Sequence, residues 1–179
     1  MSKDRNTILQ NVGTAAALLI SIIALMTSIY EANILKAQQK SMVWPYLSAG
    51  MSYTEAGFSI DVYNNGTGPA IVKSVEVLVD SKAVVSLPEM VNSLMPDSGI
   101  GYDILRQSKI HNYVFKSGEE VEIVGFSWND KTRELAHLIS AKVQIIVCYE
   151  SVLGDSWIYN YKEDSHEEGQ FKAAVEYKN

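Results

Sequence analysis

The stretch "NNGTGPA", Asn64 to Ala70, carries the residue types of a phosphate-cradling loop: two glycines and two asparagines between apolar runs. A phosphate loop of the GxxxxGK[ST] kind lies between a strand and a helix and offers backbone N–H groups to the anion. Here Gly68 is followed by Pro69, which has no N–H to offer. The three-glycine dinucleotide fingerprint also fails, because its third position is Ile71 and a strand-like run follows. Asn64, Asn65, Gly66, Gly68 and Pro69 therefore read as a structural turn. In that reading the glycines supply positive φ, the asparagines bond nearby backbone, and Pro69 directs the chain into the next strand. Asn65-Gly66-Thr67 also has the pattern of a glycosylation acceptor.

The next candidate is "KEDSHEE", which gathers Glu163, Asp164, His166, Glu167 and Glu168. Carboxylate oxygens at this density suit a hard cation, but a solvated acidic loop has the same composition. His111, His137 and His166 stand in unrelated contexts, and none belongs to an HExxH or similar ligand spacing. No serine sits in a GxSxG elbow. The single cysteine, Cys148, excludes an intramolecular disulfide and a thiolate-built zinc site, and within "KVQIIVCYE" it reads as a small buried hydrophobe. The residues thus nominate no catalytic group, no metal ligand set and no cofactor. An enzyme with an unrecognised site stays as an alternative, since folds accept grafted sites.

Charge narrows the class of partner. Beyond Val43 there are 11 Lys and Arg against 19 Asp and Glu, a net charge of −8 compared with −6 for the whole 179-residue chain. An acidic domain without basic clusters does not match a phosphate backbone, so nucleic acid is not an expected partner.

Between Asn6 and Glu31 there is no charged residue. The run from Ile8 to Tyr30 is long enough for a membrane-spanning helix, which needs about 20 mostly apolar residues. A cleaved signal peptide would want small residues at its cleavage site, where this chain has Ile29 and Tyr30. The expectation is a retained anchor over 8–30, after a polar N-terminus over 1–7, with a helical stalk over 31–43. Pro45 disfavours helix at Trp44 and ends the stalk. Gly13, Ala17, Ser21, Ala24 and Ser28 form a stripe of small residues on one helical face. Such a stripe lets helix backbones approach closely and associate in lipid. The near-flank charges balance, Lys3 and Arg5 before the helix against Lys36 and Lys40 after it, so the positive-inside rule favours neither orientation.

From Tyr46 the apolar period changes from helical to two. "LSAGMSY", "FSIDVY", "VEVLVD", "EEVEIVGFSW", "VQIIVCY" and "WIYNY" each place apolar side chains on one face, as half-buried antiparallel strands do. "KAVVS" and "GYDILR" are shorter strand candidates, and "FKAAVEY" can add a last edge strand. "LPEMVNSLM" and "NDKTRELAHLIS" read as helices, the second capped by Asn129 or Asp130. Seven or eight strands with few helices predict a mainly β domain over 44–179: an immunoglobulin-like antiparallel β-sandwich, or alternatively a small partly open barrel.

"SMVWPYLSAGMS" followed by "YNNGTGPAIVKSVEV" resembles a loosely defined group of small bacterial membrane-anchored proteins of unknown function. The resemblance covers the anchor and about the first two-fifths of the domain, and it implies a bacterial setting in which the glycosylation pattern carries no meaning. Members often have a basic run after the membrane helix, which implies a cytoplasmic domain; this chain keeps only Lys36 and Lys40 there. The expected function is a single-pass, non-catalytic protein-interaction module of the inner membrane, in contact with the lipid bilayer and with a protein partner or a second copy. Trp44, Trp128 and Trp157 are candidate contacts. The alternative is an oligomerising membrane effector in a growth-arrest or phage-defence response, assembled through the small-residue stripe.

Overall fold

The computed structural model describes residues 2–100, 104–170, 173 and 177. It divides into two compact units, Met1–Ser41 and Met42–Asn179. The first is a single helix, α1 (Ser2–Met42), 41 residues long and roughly 60 Å at 1.5 Å per residue. Every described side chain from Ile8 to Met42 is exposed. The helix is long and apolar enough to cross a membrane. The hydroxyls of Thr14, Ser21 and Thr27 donate to the carbonyls of Gln10, Ala17 and Ile23, four residues earlier. Those polar atoms are thereby satisfied within the helix, as an apolar surrounding demands. The helix stops before Trp44-Pro45, where the proline ring disfavours helical backbone in the residue preceding it.

The second unit holds ten strands among the described residues: Leu47–Tyr53 (β1), Gly57–Asn64 (β2), Ala70–Val79 (β3), Lys82–Val84 (β4), Ile104–Gln107 (β5), Val114–Phe115 (β6), Glu120–Ser127 (β7), Val143–Glu150 (β8), Ser156–Asn160 (β9) and Ser165–Glu168 (β10). They build two antiparallel sheets, neither of them closed. One has the order β1-β2-β7-β5 and the other β10-β9-β8-β3-β4, with β6 also pairing β3. Period-two alternation turns one face of each sheet inward. Phe58, Ile60, Val62, Val124 and Phe126 of the first sheet and Val72, Val75, Val77, Val147 and Tyr159 of the second are buried in one core.

In β7 the register shifts opposite Ile60/Asp61, so Ile123 is an extra residue, and Val121 is returned to the inward face opposite Val62.

Among the described residues two helices complete the unit. Leu87–Leu94 (α2) is capped by the Ser86 hydroxyl, which accepts the Glu89 N–H, with Pro88 in its first turn. Asp130–Lys142 (α3) starts at Asn129, whose side chain exchanges hydrogen bonds with Thr132 in a capping box. Leu87, Met90 and Val91 of α2 and Leu135, Ala136 and Ile139 of α3 are buried.

Several expectations need correction. The segment "SHEE" is a strand rather than a solvated loop: β10 pairs with β9, His166 lying opposite Tyr159. The two-residue β6 is too short to show a period in the sequence. "FKAAVEY" lies mostly outside the described residues, as do the first three residues of "GYDILR". Of the former, Tyr177 is buried and donates its N–H to the Val75 carbonyl.

The register fixes the ends of the domain. β1 starts beside the end of β2 (Leu47 opposite Asn64), and the start of β3 meets β6 and the end of β8 (Ala70 opposite Phe115, Ile71 opposite Glu150). Val43–Tyr46 and the loops 65–69, 116–119 and 151–155 therefore collect at one end, called proximal here. The β1–β2 turn around Glu55 lies at the other.

Candidate functional site

The five turn residues are brought together, but around a different purpose from the one expected. Neither Gly66 nor Gly68 has positive φ, and neither do Asn64 and Asn65. Both glycines are required by close approach instead. A Cβ on Gly66 would fall on the Trp44 carbonyl oxygen and the Tyr46 nitrogen, and one on Gly68 would fall on the Val43 carbonyl. The loop is a socket for the extended segment Val43–Tyr46, through which the chain joins the β domain after α1.

Asn64, the last residue of β2, is the centre of the socket and is fully buried. Its Oδ1 accepts the N–H groups of Tyr46 and Gly66, each at 3.1 Å. Its Nδ2 donates to the carbonyls of Gly68 at 2.8 Å and Phe115 at 3.2 Å. An asparagine amide has two donor hydrogens and two acceptor lone pairs; all four are used. Three further bonds seat the segment: Asn65 N–H to the Tyr46 carbonyl (2.8 Å), Gly68 N–H to the Trp44 carbonyl (3.1 Å), and the Thr67 hydroxyl to the same Trp44 carbonyl (3.4 Å); Asn65 Nδ2 also donates to Ser48 Oγ of β1 (2.7 Å). Pro69, which has no N–H, leads directly into β3.

The loop 116–119 braces the socket from behind. Ser117 Oγ donates to the Gly66 carbonyl at 2.6 Å, Gly118 N–H to the Asn64 carbonyl at 2.8 Å, and Asn64 N–H to the Glu119 carbonyl at 2.9 Å. The Glu119 carboxylate accepts the Lys116 N–H at 2.7 Å and the Tyr113 hydroxyl at 3.0 Å. These two bonds, the backbone one first, hold its carboxyl below the usual carboxylate range.

Beside the socket, side chains of the second sheet satisfy the outer edge of β1. The Ala49 N–H donates to the Tyr159 hydroxyl at 3.0 Å, and His166 Nε2 meets the Leu47 carbonyl at 2.6 Å. The Leu47 backbone also bonds the Tyr149 hydroxyl. An edge strand otherwise offers these groups to other chains. The His166 ring is stacked between Tyr46 (centroids 4.0 Å) and Tyr159 (4.8 Å), and Trp44 meets Tyr46 edge-on at 5.4 Å. Burial is the main cause that raises the Tyr159 phenol to about 12 and pushes Tyr149 up further. No motif reading could find this seam, because its partners come from opposite ends of the domain sequence.

The remaining candidates are dispersed. Gly13, Ala17, Ser21, Ala24 and Ser28 lie on α1, all exposed, and nothing approaches the Cβ position of Gly13 within 4 Å. Alternation along β10 sends His166 and Glu168 to one face and Glu167 to the other, while Glu163 and Asp164 sit in the preceding turn. Among the described residues no three His, Cys, Asp or Glu side chains are grouped to hold a metal ion. Cys148 is buried. His111 and His137 are exposed and far from His166 in sequence. Trp128 stacks on Tyr53 and donates Nε1–H to the Thr54 carbonyl at 2.7 Å, with Arg133 above its ring. Trp157 stacks on Tyr149. Trp44 alone of the three tryptophans is exposed. No protein-family model and no curated protein sequence matches the chain.

Proposed function

We propose that the protein is a single-pass, membrane-anchored, non-catalytic protein-interaction module of a bacterial inner membrane. In this reading α1 crosses the bilayer and the two sheets form an immunoglobulin-like sandwich that presents loops and exposed aromatic side chains to a partner. The observation that carries it is α1. Its apolar run is uncharged from Asn6 to Tyr30, is long enough to span the hydrocarbon layer, and has every described side chain exposed. In water that surface would be an unmanageable apolar area; in lipid it needs no cover. The socket supports the reading, because four hydrogen bonds from residues 64–68 fix the segment that follows α1. The resemblance to small bacterial membrane-anchored proteins supports the setting.

The test is affinity capture of the tagged full chain from detergent-solubilised native membranes. A stoichiometric partner is expected. Recovery of the protein alone would count against an interaction module.

The small-residue stripe favours a second reading, an oligomerising membrane effector. Under it, Gly13→Leu or Ala17→Leu abolishes both oligomers and growth inhibition on overexpression. Normal growth on overexpression of the unsubstituted chain would remove this reading.

A further inference from the structure

The β domain distributes its exposed apolar side chains unevenly. Outside α1, the large hydrophobics exposed among the described residues are Trp44, Tyr53, Val85, Leu105, Val114, Val152 and Leu153. Four of these seven belong to the proximal end: Trp44 (46 % exposed), Val114 (48 %), Val152 (53 %) and Leu153 (52 %). Register places them there. Val114 is opposite Ile71, and Ile71 is opposite Glu150, the last residue before the turn that carries Val152 and Leu153. Trp44 follows Val43, whose carbonyl lies against Gly68.

The turn is built to hold its apolar tip outward. Ser151 is buried, and its hydroxyl accepts the N–H groups of Leu153 at 3.1 Å and Asp155 at 3.3 Å. Gly154, at φ +83°, takes the left-handed position that closes the hairpin. Two neighbouring branched aliphatic side chains on a rigid, exposed hairpin tip are unusual for a surface that meets only water.

Charge is distributed in the opposite sense. The segments 43–46, 64–69, 116–119 and 151–155 contain only Lys116, Glu119 and Asp155, although the domain as a whole carries −8. Lys73 and Glu150, just behind them, are paired with each other. An anionic leaflet repels acidic surface and accepts a nearly neutral, apolar one. The end at which Val43–Tyr46 enters the domain thus carries four of its seven exposed large hydrophobics and few charges in its loops, with Glu120 (opposite Tyr63) and Glu168 (opposite Trp157) on the adjoining strands. We infer that this proximal end, through Trp44, Val114, Val152 and Leu153, rests on the lipid headgroup layer; the inference rests on α1 being a membrane anchor. A tryptophan and aliphatic tips with little charge are the side chains that favour the boundary between headgroups and hydrocarbon. The competing arrangement is a stalk that keeps the domain clear of lipid. The helix continues about 12 residues past Tyr30, roughly 18 Å if it stands upright.

The test uses the full chain in vesicles of phosphatidylethanolamine and phosphatidylglycerol, with an environment-sensitive fluorophore on one introduced cysteine at a time. Native Cys148 is buried, and the unsubstituted chain is the labelling blank. Ile20→Cys reports on the anchor, Leu153→Cys on the proximal end and Glu55→Cys on the distal end. All three positions are exposed, so the label enters no core. Chain-brominated lipid should quench the probe at Ile20. Nitroxide-headgroup lipid should quench the probe at Leu153 several-fold more than the probe at Glu55. Quenching at Ile20 with equal, weak quenching at Leu153 and Glu55 would overturn the lipid contact and leave the anchor standing. Absence of quenching at Ile20 would overturn the anchor, and the contact with it.

Discussion

The Asn64 side-chain oxygen accepts the Tyr46 N–H at 3.1 Å, so the end of β2 holds the fourth residue after α1. A chain that leaves a helix and enters a sheet must satisfy the backbone groups of the residues between them. Here one buried amide and a glycine loop do so.

Asn64→Leu is close in size but leaves the Tyr46 and Gly66 N–H groups and the Gly68 and Phe115 carbonyls without their partner. Each buried unsatisfied group costs about 1–3 kcal/mol, with partial relief from water at the loop. The expected loss is about 3 kcal/mol or more of unfolding free energy, read by denaturant titration of the β domain. Asn64→Asp keeps the acceptors and loses the two donors, and should fall between the leucine variant and the unsubstituted chain.

Gly68→Ala places a methyl group on the Val43 carbonyl, which is backbone and cannot swing aside. Overpacking of this kind costs about 1–3 kcal/mol or more. Gly50→Ala is the control, because its Cβ would meet only the Tyr63 ring at an ordinary 3.7 Å. A midpoint drop for Gly68→Ala with little change for Gly50→Ala is the expected pair of results. Equal effects would refute close approach as the reason for glycine at 68.

His166→Phe preserves a flat ring between Tyr46 and Tyr159 and deprives the Leu47 carbonyl of its 2.6 Å partner. The expected cost is about 1–3 kcal/mol for the orphaned acceptor. His166→Ala should cost more, since it also removes both stacks. If the phenylalanine variant matched the unsubstituted chain, the bond from His166 to the Leu47 carbonyl would contribute nothing to the seam.

The buried phenols predict alkaline sensitivity. Tyr159 has an ordinary value of 10.0, and burial raises it to about 12 in the folded domain. Between those values the unfolded chain releases a proton that the folded one retains, so unfolding is favoured as pH rises. The stability Tyr159 contributes is fully present below pH 10 and is lost as pH rises toward 12, at about 1.4 kcal/mol per unit. Burial shifts Tyr149 and Tyr177 the same way. Absorbance of phenolate at alkaline pH should therefore show a fraction of tyrosines that ionise only together with loss of the β circular dichroism. Smooth ionisation of all ten tyrosines with the fold intact would contradict this burial.

The helix and the long strands were legible in the sequence because local pattern determines them: an uncharged apolar run for α1, and alternation in segments such as "FSIDVY" and "VQIIVCY". The cap of α3 was legible to within one residue, Asn129 or Asp130, and the structure uses Asn129. The "NNGTGPA" loop was legible as a bend but not as a socket, since the need for glycine at 66 and 68 arises from backbone at 43–46, distant in sequence. The seam was hidden for a stronger version of this reason. Ala49 and Tyr159 meet across 110 positions, and nothing near either residue marks the pairing. β10 was hidden by its charges: "SHEE" has no apolar face of its own and is a strand through its pairing with β9 and the docking of His166 on Leu47.

The central claim, that α1 is a retained anchor, is tested most directly by the intact mass of the mature protein from membranes washed with alkaline carbonate. The account predicts a chain that retains the apolar run 8–30 in the washed membrane pellet. A soluble product lacking the residues up to about Tyr30 would contradict it.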